Sequence, residues 1–215
     1  MRVCMIGAGY VGLVSAACFS EFGWTVTCVD KDPRRLAELK DGKSPIYEPG
    51  LDDLIQRNMQ AGRLVFTDNL APAAKDAAVI LLAVGTPMRR GDGYADLSYV
   101  YAAVDEIAPH LQGFTVIVTK STVPVGTSRE IERRLRAARP DGEFAVCSNP
   151  EFLREGSAIQ DFMHHRRRVC ARGHGKALST AGVAQCSGNF RGARIRRAGE
   201  VRRQRLPGAE DQLHQ

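Results

Sequence analysis

Apolar residues in the first 148 positions fall into six short runs separated by stretches with helical spacing. The runs are RVCMIG (2–7), TVTCVD (25–30), LVF (64–66), AVILLAV (78–84), FTVIVTK (114–120) and FAVCS (144–148). Runs of this length, mostly β-branched and bounded by Gly, Pro or Asp, predict strands buried on both faces. Val11, Val14, Ala17 and Cys18 recur at helical spacing and predict a helix over 10–22. Further helices are predicted from Pro33, from about Pro49 to Ala61, over about 97–110 and over 127–138. Strands alternating with helices predict an α/β domain, a doubly wound and mostly parallel sheet covered on both faces.

The pattern stops near residue 164, and charge explains why the tail differs. The chain carries +6 overall, yet residues 1–164 hold 18 Lys+Arg against 21 Asp+Glu, and residues 165–215 hold 12 against 3. The tail has one Phe and no Trp or Tyr. Such a segment buries little apolar surface and is expected to be a disordered basic tail. The domain boundary is therefore drawn between 1–164 and 165–215. A basic arm can reach nucleic acid through its phosphates, but the mildly acidic body does not support that reading, and no nucleic-acid partner is expected. No apolar run reaches the ~18 residues that span a bilayer, and the N-terminus does not read as a signal peptide. A cytoplasmic protein without a membrane partner is expected. The six cysteines show no CxxC or metal-ligand spacing, so free thiols and no metal site are expected.

GAGYVG (7–12) carries the first chemistry. It matches G-x-G-x-x-G between a predicted strand and a predicted helix, and Asp30 ends the next strand. In that context the motif predicts a Rossmann-like dinucleotide site. Gly7 permits the tight turn, Gly9 lets the backbone approach a pyrophosphate, and Gly12 lets the helix pack closely. The helix N-terminus offers its N–H groups to the phosphates. Asp30 is placed for the adenosine ribose hydroxyls, which favours NAD over NADP. Arg35 reads as a solvated helix residue.

Three further loops follow strands: VGTP (84–87), KSTVPVGT (120–127) and SNPEFLREG (148–156). Open α/β sheets bind ligands beyond the carboxyl ends of their strands. Thr122 is placed to hold a water or an alcohol. Glu151 and Glu155 share one face if a helix begins at 151, and two carboxylates there suit acid–base work. The alternative is ordinary capping, with Ser148 or Asn149 as N-cap and Glu151 in the first turn. SPIYEPGL (44–51) reads as a loop leading into a helix, without a legible function. No histidine-based triad is visible.

Taken together, MRVCMIGAGYVGLV, SPIYEPGL, AGRLVFTDNL, AVGTP, ADLSYV, KSTVPVGT and SNPEFLREGSAIQDFM resemble the UDP-glucose/GDP-mannose dehydrogenase family, in order and nearly continuously over 1–163. STVPVGT and NPEFLREG look more like the UDP-glucose branch. The resemblance implies oxidation of a sugar-nucleotide C6 alcohol to a carboxylate with two NAD and one water, through a cysteine thiohemiacetal and thioester. It implies catalytic roles for Thr122 and Glu151. NAD-site positions are Gly7, Gly9, Tyr10, Val11, Gly12, Asp30, Arg35, Thr86, Ser121, Thr122 and Glu155. Sugar-nucleotide positions are Glu151, Phe152, Leu153, Arg154 and Glu155. UDP-glucose or a related sugar nucleotide is the implied substrate, and full-length relatives are expected to be homodimers.

After FM (162–163) the resemblance ends. The family's central helix, its GGSC-type loop with the nucleophilic cysteine, and its second nucleotide-binding domain have no counterpart here, and Cys170 and Cys186 lack the nucleophile's context. An NAD-binding chain without dehydrogenase turnover is therefore expected. Read one base out of frame, Ile195–Gln215 permits SAELAKYAANAFLAPKINFIN, which looks like the family's central helix. A one-base frame change between about His165 and Asn189 accounts for the arginine-rich tail. Resequencing the gene past codon 215 tests this: a base gained or lost, or a GGSC-type loop downstream in the shifted frame, is the expected result, and neither would overturn it.

Overall fold

The apolar runs pair into one sheet because each must bury both of its faces. The computed structural model describes residues 1–91, 93–150 and 153–163. Its strands are β1 (Arg2–Ile6), β2 (Thr25–Val29), β3 (Leu64–Thr67), β4 (Val79–Leu82), β5 (Thr115–Thr119) and β6 (Phe144–Ser148). They lie in the order β3-β2-β1-β4-β5-β6. Every pairing in this sheet is parallel, so the mixed alternative left open by "mostly parallel" is not used. Val3 faces Val26 on one side and Val79 on the other. The chain leaves β1 toward β2 and β3, then returns to place β4 on the opposite side of β1. That reversal opens a crevice at the carboxyl ends of β1 and β4.

The helices are α1 (Tyr10–Glu21), α2 (Pro33–Lys40), α3 (Leu51–Gln60), α4 (Leu70–Lys75), α5 (Ser98–Ile107) and α6 (Thr127–Ala138). A last helical stretch, α7, covers 158–163. Along β1 the side chains alternate. Val3 and Met5 join a core with Leu13, Val14, Ala17, Leu36, Leu39 and Ile55 from α1, α2 and α3. Cys4 and Ile6 join the opposite core with Val100, Val104, Ile107, Ile131 and Leu135 from α5 and α6. Burial on both faces is what continuous apolar strands require.

α7 belongs to the first core. Ala158 is buried there, and Phe162 meets Phe19 edge-on at 5.1 Å. Phe19 in turn stacks on Trp24 at 4.8 Å. The start of SNPEFLREG thus leaves β6 on one side of the crevice, and its end returns to pack on α1.

Differences from the sequence reading have local causes. β1, β2, β4 and β5 stop one or two residues short of their apolar runs, because Gly7, Asp30, Ala83, Val84 and Lys120 turn into the loops, while β3 gains Thr67 and β6 matches its run. α4 was not anticipated, since LAPAAK is short and has Pro72 in its third position. The helix predicted over 97–110 ends its α-helical part at Ile107, and Ala108–His110 tighten into a 3₁₀ turn around Pro109. Residues 155–157 form a turn ahead of α7, with Ser157 N–H on Arg154 O at 3.0 Å; the shared helix face expected for Glu151 and Glu155 involves Glu151, which lies outside the described residues. Cys4, Cys18, Cys28 and Cys147 are buried and in no disulfide. Among the described residues no helix is long and apolar enough to cross a membrane. The readings made for 165–215, including the basic tail, the frame change, Cys170 and Cys186, lie outside the described residues.

Candidate functional site

The β1–α1 turn is built by exclusion. Gly7 has φ +101°, and a Cβ there would stand 2.5 Å from the Ala83 carbonyl oxygen at the end of β4. A Cβ on Gly12 would lie 1.9 Å from the Gly7 carbonyl oxygen. Gly12 therefore seats α1 against the turn itself and against Ala83, a closer contact than the helix-on-sheet packing expected. Gly9 differs from both: a Cβ there meets nothing within 4 Å. The protein leaves space in front of this backbone, where the motif requires a pyrophosphate. The first hydrogen bond of α1 runs from Leu13 N–H to Gly9 O, 2.8 Å. Earlier N–H groups of the helix face outward, toward that space.

Asp30 closes the other side of the turn. It is buried, and its Oδ2 accepts from Ala8 N–H at 2.7 Å. Its Oδ1 accepts from Asp32 N–H at 2.9 Å. Arg35 donates from Nη1 to Oδ2 at 2.9 Å. Burial raises the Asp30 carboxyl, but the two N–H groups and the Arg35 guanidinium outweigh it and hold the group below its ordinary value. Arg35 is thus half-buried and engaged with Asp30, which corrects its reading as a solvated helix residue. An ionised, oriented carboxylate stands where ribose hydroxyls need an acceptor. The Arg35 charge is already committed to it, leaving less to attract a 2′-phosphate.

The loops after β4 and β5 are stitched together. Ser121 Oγ donates to Val84 O at 2.5 Å. Thr86 Oγ1 donates to Thr122 O at 3.2 Å. Thr122 itself is exposed just beyond the end of β5. Lys120, only 6% exposed, donates from Nζ to Asn149 Oδ1 at 3.0 Å and so ties the end of β5 to the loop after β6. Sequence reasoning passed over Lys120. The signal was a lysine closing a buried apolar run, which is rare without a job to do.

Glu48 was passed over as well. Its carboxylate, 6% exposed, accepts from Tyr10 Oη at 2.7 Å, Gly156 N–H at 2.8 Å and Ala158 N–H at 2.8 Å. SPIYEPGL thus acquires a role that local pattern does not reveal, because two of the partners lie more than 100 residues further on. Burial raises the Glu48 carboxyl, but the Tyr10 hydroxyl and the N–H groups of Gly156, Ala158 and Ile159 prevail and hold it below its ordinary value.

The predicted positions gather at one edge of the sheet. Gly7, Gly9, Tyr10, Val11, Gly12, Asp30 and Arg35 surround the first turn. Thr86, Ser121 and Thr122 form the neighbouring loops. Arg154 follows, with its carbonyl 3.4 Å from Tyr10 Oη and its guanidinium on Asp161 at 2.8 and 3.0 Å. Leu153 is half-buried, and Glu155 is exposed in a turn. Glu151 and Phe152 lie outside the described residues. Three of the described cysteines are unsuited to attack: burial pushes the Cys4 thiol up to about 12, burial with Glu21 and Glu48 nearby does the same for Cys18, and burial raises Cys28 as well. Among the described residues, no group of three or more His, Cys, Asp or Glu could hold a metal ion.

Comparison with known proteins agrees with this geometry. Residues 1–181 match the UDP-glucose/GDP-mannose dehydrogenase family, NAD binding domain. A UDP-glucose 6-dehydrogenase of Rhizobium meliloti (strain 1021) is 60% identical over 169 residues, covering 79% of this chain and 39% of the relative. One from Pseudomonas aeruginosa is 48% identical over 184 residues, covering 84% and 40%. The chain therefore spans about two-fifths of the length of these relatives. Among solved structures, a GDP-mannose dehydrogenase ternary complex from Pseudomonas aeruginosa superposes with a TM-score of 0.72 at 37% identity, covering 75% of this chain and 38% of that one. A UDP-glucose dehydrogenase from Pyrobaculum islandicum gives 0.71 at 38% identity, with the same coverage.

Two substitutions separate the ligand's space from the fold's. Gly9→Ala should leave stability within about 0.5 kcal/mol while weakening dinucleotide binding about tenfold or more. Gly12→Ala should cost about 3 kcal/mol, since its Cβ meets backbone that cannot yield. Urea unfolding and dinucleotide titration of both variants measure this. Glu48 yields a pH prediction. A carboxyl lowered on folding contributes stability that is present above its unfolded pKa and lost as pH falls through the folded one. Glu48→Gln should be less stable than wild type by about 2 kcal/mol at pH 7. That gap should narrow below about pH 4, as read by unfolding curves across pH.

Proposed function

The chain belongs to the UDP-glucose/GDP-mannose dehydrogenase family, and from that membership we propose that residues 1–164 are the NAD-binding domain of a UDP-glucose 6-dehydrogenase. The observation that carries the cofactor half is the empty clearance before Gly9 beside the held carboxylate of Asp30. The 60% identity to a UDP-glucose 6-dehydrogenase supports the substrate half. The overall reaction would be UDP-glucose, two NAD⁺ and water giving UDP-glucuronate, two NADH and three protons.

Bound NAD supplies a hydride acceptor at the nicotinamide. The chain's own residues hold and orient it. Gly7, Gly9, Tyr10, Val11 and Gly12 present the helix N-terminus to the pyrophosphate. Asp30 accepts from the adenosine ribose hydroxyls, with Arg35 fixing its orientation. Thr86, Ser121 and Thr122 line the path along the strand ends, and Glu155 closes it. Thr122 and Glu151 hold the reactive water or alcohol, Glu151 as the proton-carrying group. Phe152, Leu153, Arg154 and Glu155 form the part of the sugar-nucleotide site that this domain contributes.

Titration calorimetry on the 215-residue chain tests the reading. NAD should bind, NADP should bind at least about tenfold more weakly, and Asp30→Ala should weaken NAD about tenfold or more. With UDP-glucose and NAD, the same chain should form no UDP-glucuronate, because its described cysteines are buried. Equal binding of NADP, or an Asp30→Ala variant with unchanged affinity, would overturn the cofactor assignment. Appreciable UDP-glucuronate would overturn the expectation of a domain that needs a nucleophile from elsewhere.

A further inference from the structure

A buried carboxylate with several donors is costly to assemble, and Glu48 collects its donors from two places that a local role would not join. One donor is the hydroxyl of Tyr10, the first residue of α1 and the neighbour of Gly9. The others are backbone N–H groups, those of Gly156 and Ala158 at 2.8 Å and that of Ile159, where the segment from β6 enters α7. Tyr10 Oη also lies 3.4 Å from the carbonyl of Arg154. The loop carrying Glu48 is itself anchored. Ser44 N–H donates to Asp52 Oδ1 at 2.8 Å, and Ser44 Oγ donates to Ile46 O at 2.8 Å. Asp52 is in the first turn of α3, whose Leu51, Leu54 and Ile55 share a core with α1. The carboxylate is therefore held at a set point between the dinucleotide turn and segment 153–158.

Resting on the cofactor reading above, we propose that Glu48 is a positioning residue: it couples occupancy of the dinucleotide turn at Gly9–Tyr10 to the ordering of segment 153–158. A dinucleotide on the N-terminus of α1 restrains the first turn of that helix. Tyr10 carries the restraint to Oε2, and the same carboxylate passes it to Gly156 and Ala158. Between 153 and 157 the segment is a turn, closed within itself by Ser157 N–H on Arg154 O at 3.0 Å and by Arg154 on Asp161, and the bonds to Glu48 tie that turn to the rest of the domain. By linkage, any ligand that orders 153–158 tightens dinucleotide binding by the same factor.

Amide hydrogen exchange of the 215-residue chain, with and without saturating NAD, tests this. Three peptides are read together: the turn at 7–13, the segment at 153–163, and β1 with β4 as a report on the fold. In wild type, NAD should slow exchange at 7–13 and also slow 156–158 by about fivefold or more. In Glu48→Gln, with β1 and β4 as protected as in wild type, NAD should still slow 7–13 but leave 156–158 unchanged. Protection at 7–13 without any at 156–158 in wild type would overturn the coupling while leaving the cofactor reading intact. Equal protection of 156–158 in Glu48→Gln would also overturn it, since the carboxylate would not be the carrier. No protection even at 7–13 would overturn the cofactor reading, and the coupling with it. The wild-type comparison stands by itself should the variant fold poorly.

Discussion

A side chain at position 12 would force the turn beneath it to shift. Its Cβ would lie 1.9 Å from the Gly7 carbonyl oxygen, and this one contact sets how closely α1 approaches the end of β1. Because α1 sits that low, its N-terminus opens directly over the strand ends, and the backbone at Gly9 faces clear space. A second close approach, 2.5 Å from a Cβ on Gly7 to the Ala83 carbonyl oxygen, brings the turn against the β4 exit. Larger residues would still allow a parallel sheet here, but they would lift the helix and fill the place of a phosphate.

Electrostatics then assigns the ends of that crevice. A helix N-terminus and outward N–H groups favour an anion at one point. Asp30, a few ångströms further along β2, presents the opposite charge, oriented by Ala8, Asp32 and Arg35. A ligand with a phosphate and adjacent hydroxyls satisfies both, and an additional phosphate on those hydroxyls would meet the carboxylate. Arg35 does not reverse this, because its guanidinium is bound to the same oxygen that Ala8 reaches.

Beyond the crevice, the site is assembled from loops that hold one another instead of from rigid elements. Ser121 reaches Val84, Thr86 reaches Thr122, Lys120 reaches Asn149, and Glu48 reaches both Tyr10 and Gly156. Each bond joins two segments well separated in the sequence. The hydroxyls that line such a site are partly consumed in building it, as Ser121 shows by donating to a carbonyl. Thr122 stays exposed, as a residue meant to meet water or substrate must.

The sequence alone determined the six strands, their burial on both faces, the glycine turn and Asp30 at the end of β2. These rest on interactions within a few residues or on a period that a parallel sheet imposes, so the chain displays them directly. The helix Leu70–Lys75 was hidden because a short segment with Pro72 carries no clear period. Arg35 read as solvated because nothing local shows that the first turn of α2 brings it back over Asp30. Only the tertiary structure decided the parts played by Glu48 and Lys120. Glu48 meets Gly156 and Ala158 across more than 100 residues, and Lys120 meets Asn149 across two strand ends. A buried charge is tolerated only where its partners converge, and that convergence exists in the folded chain and nowhere along the sequence.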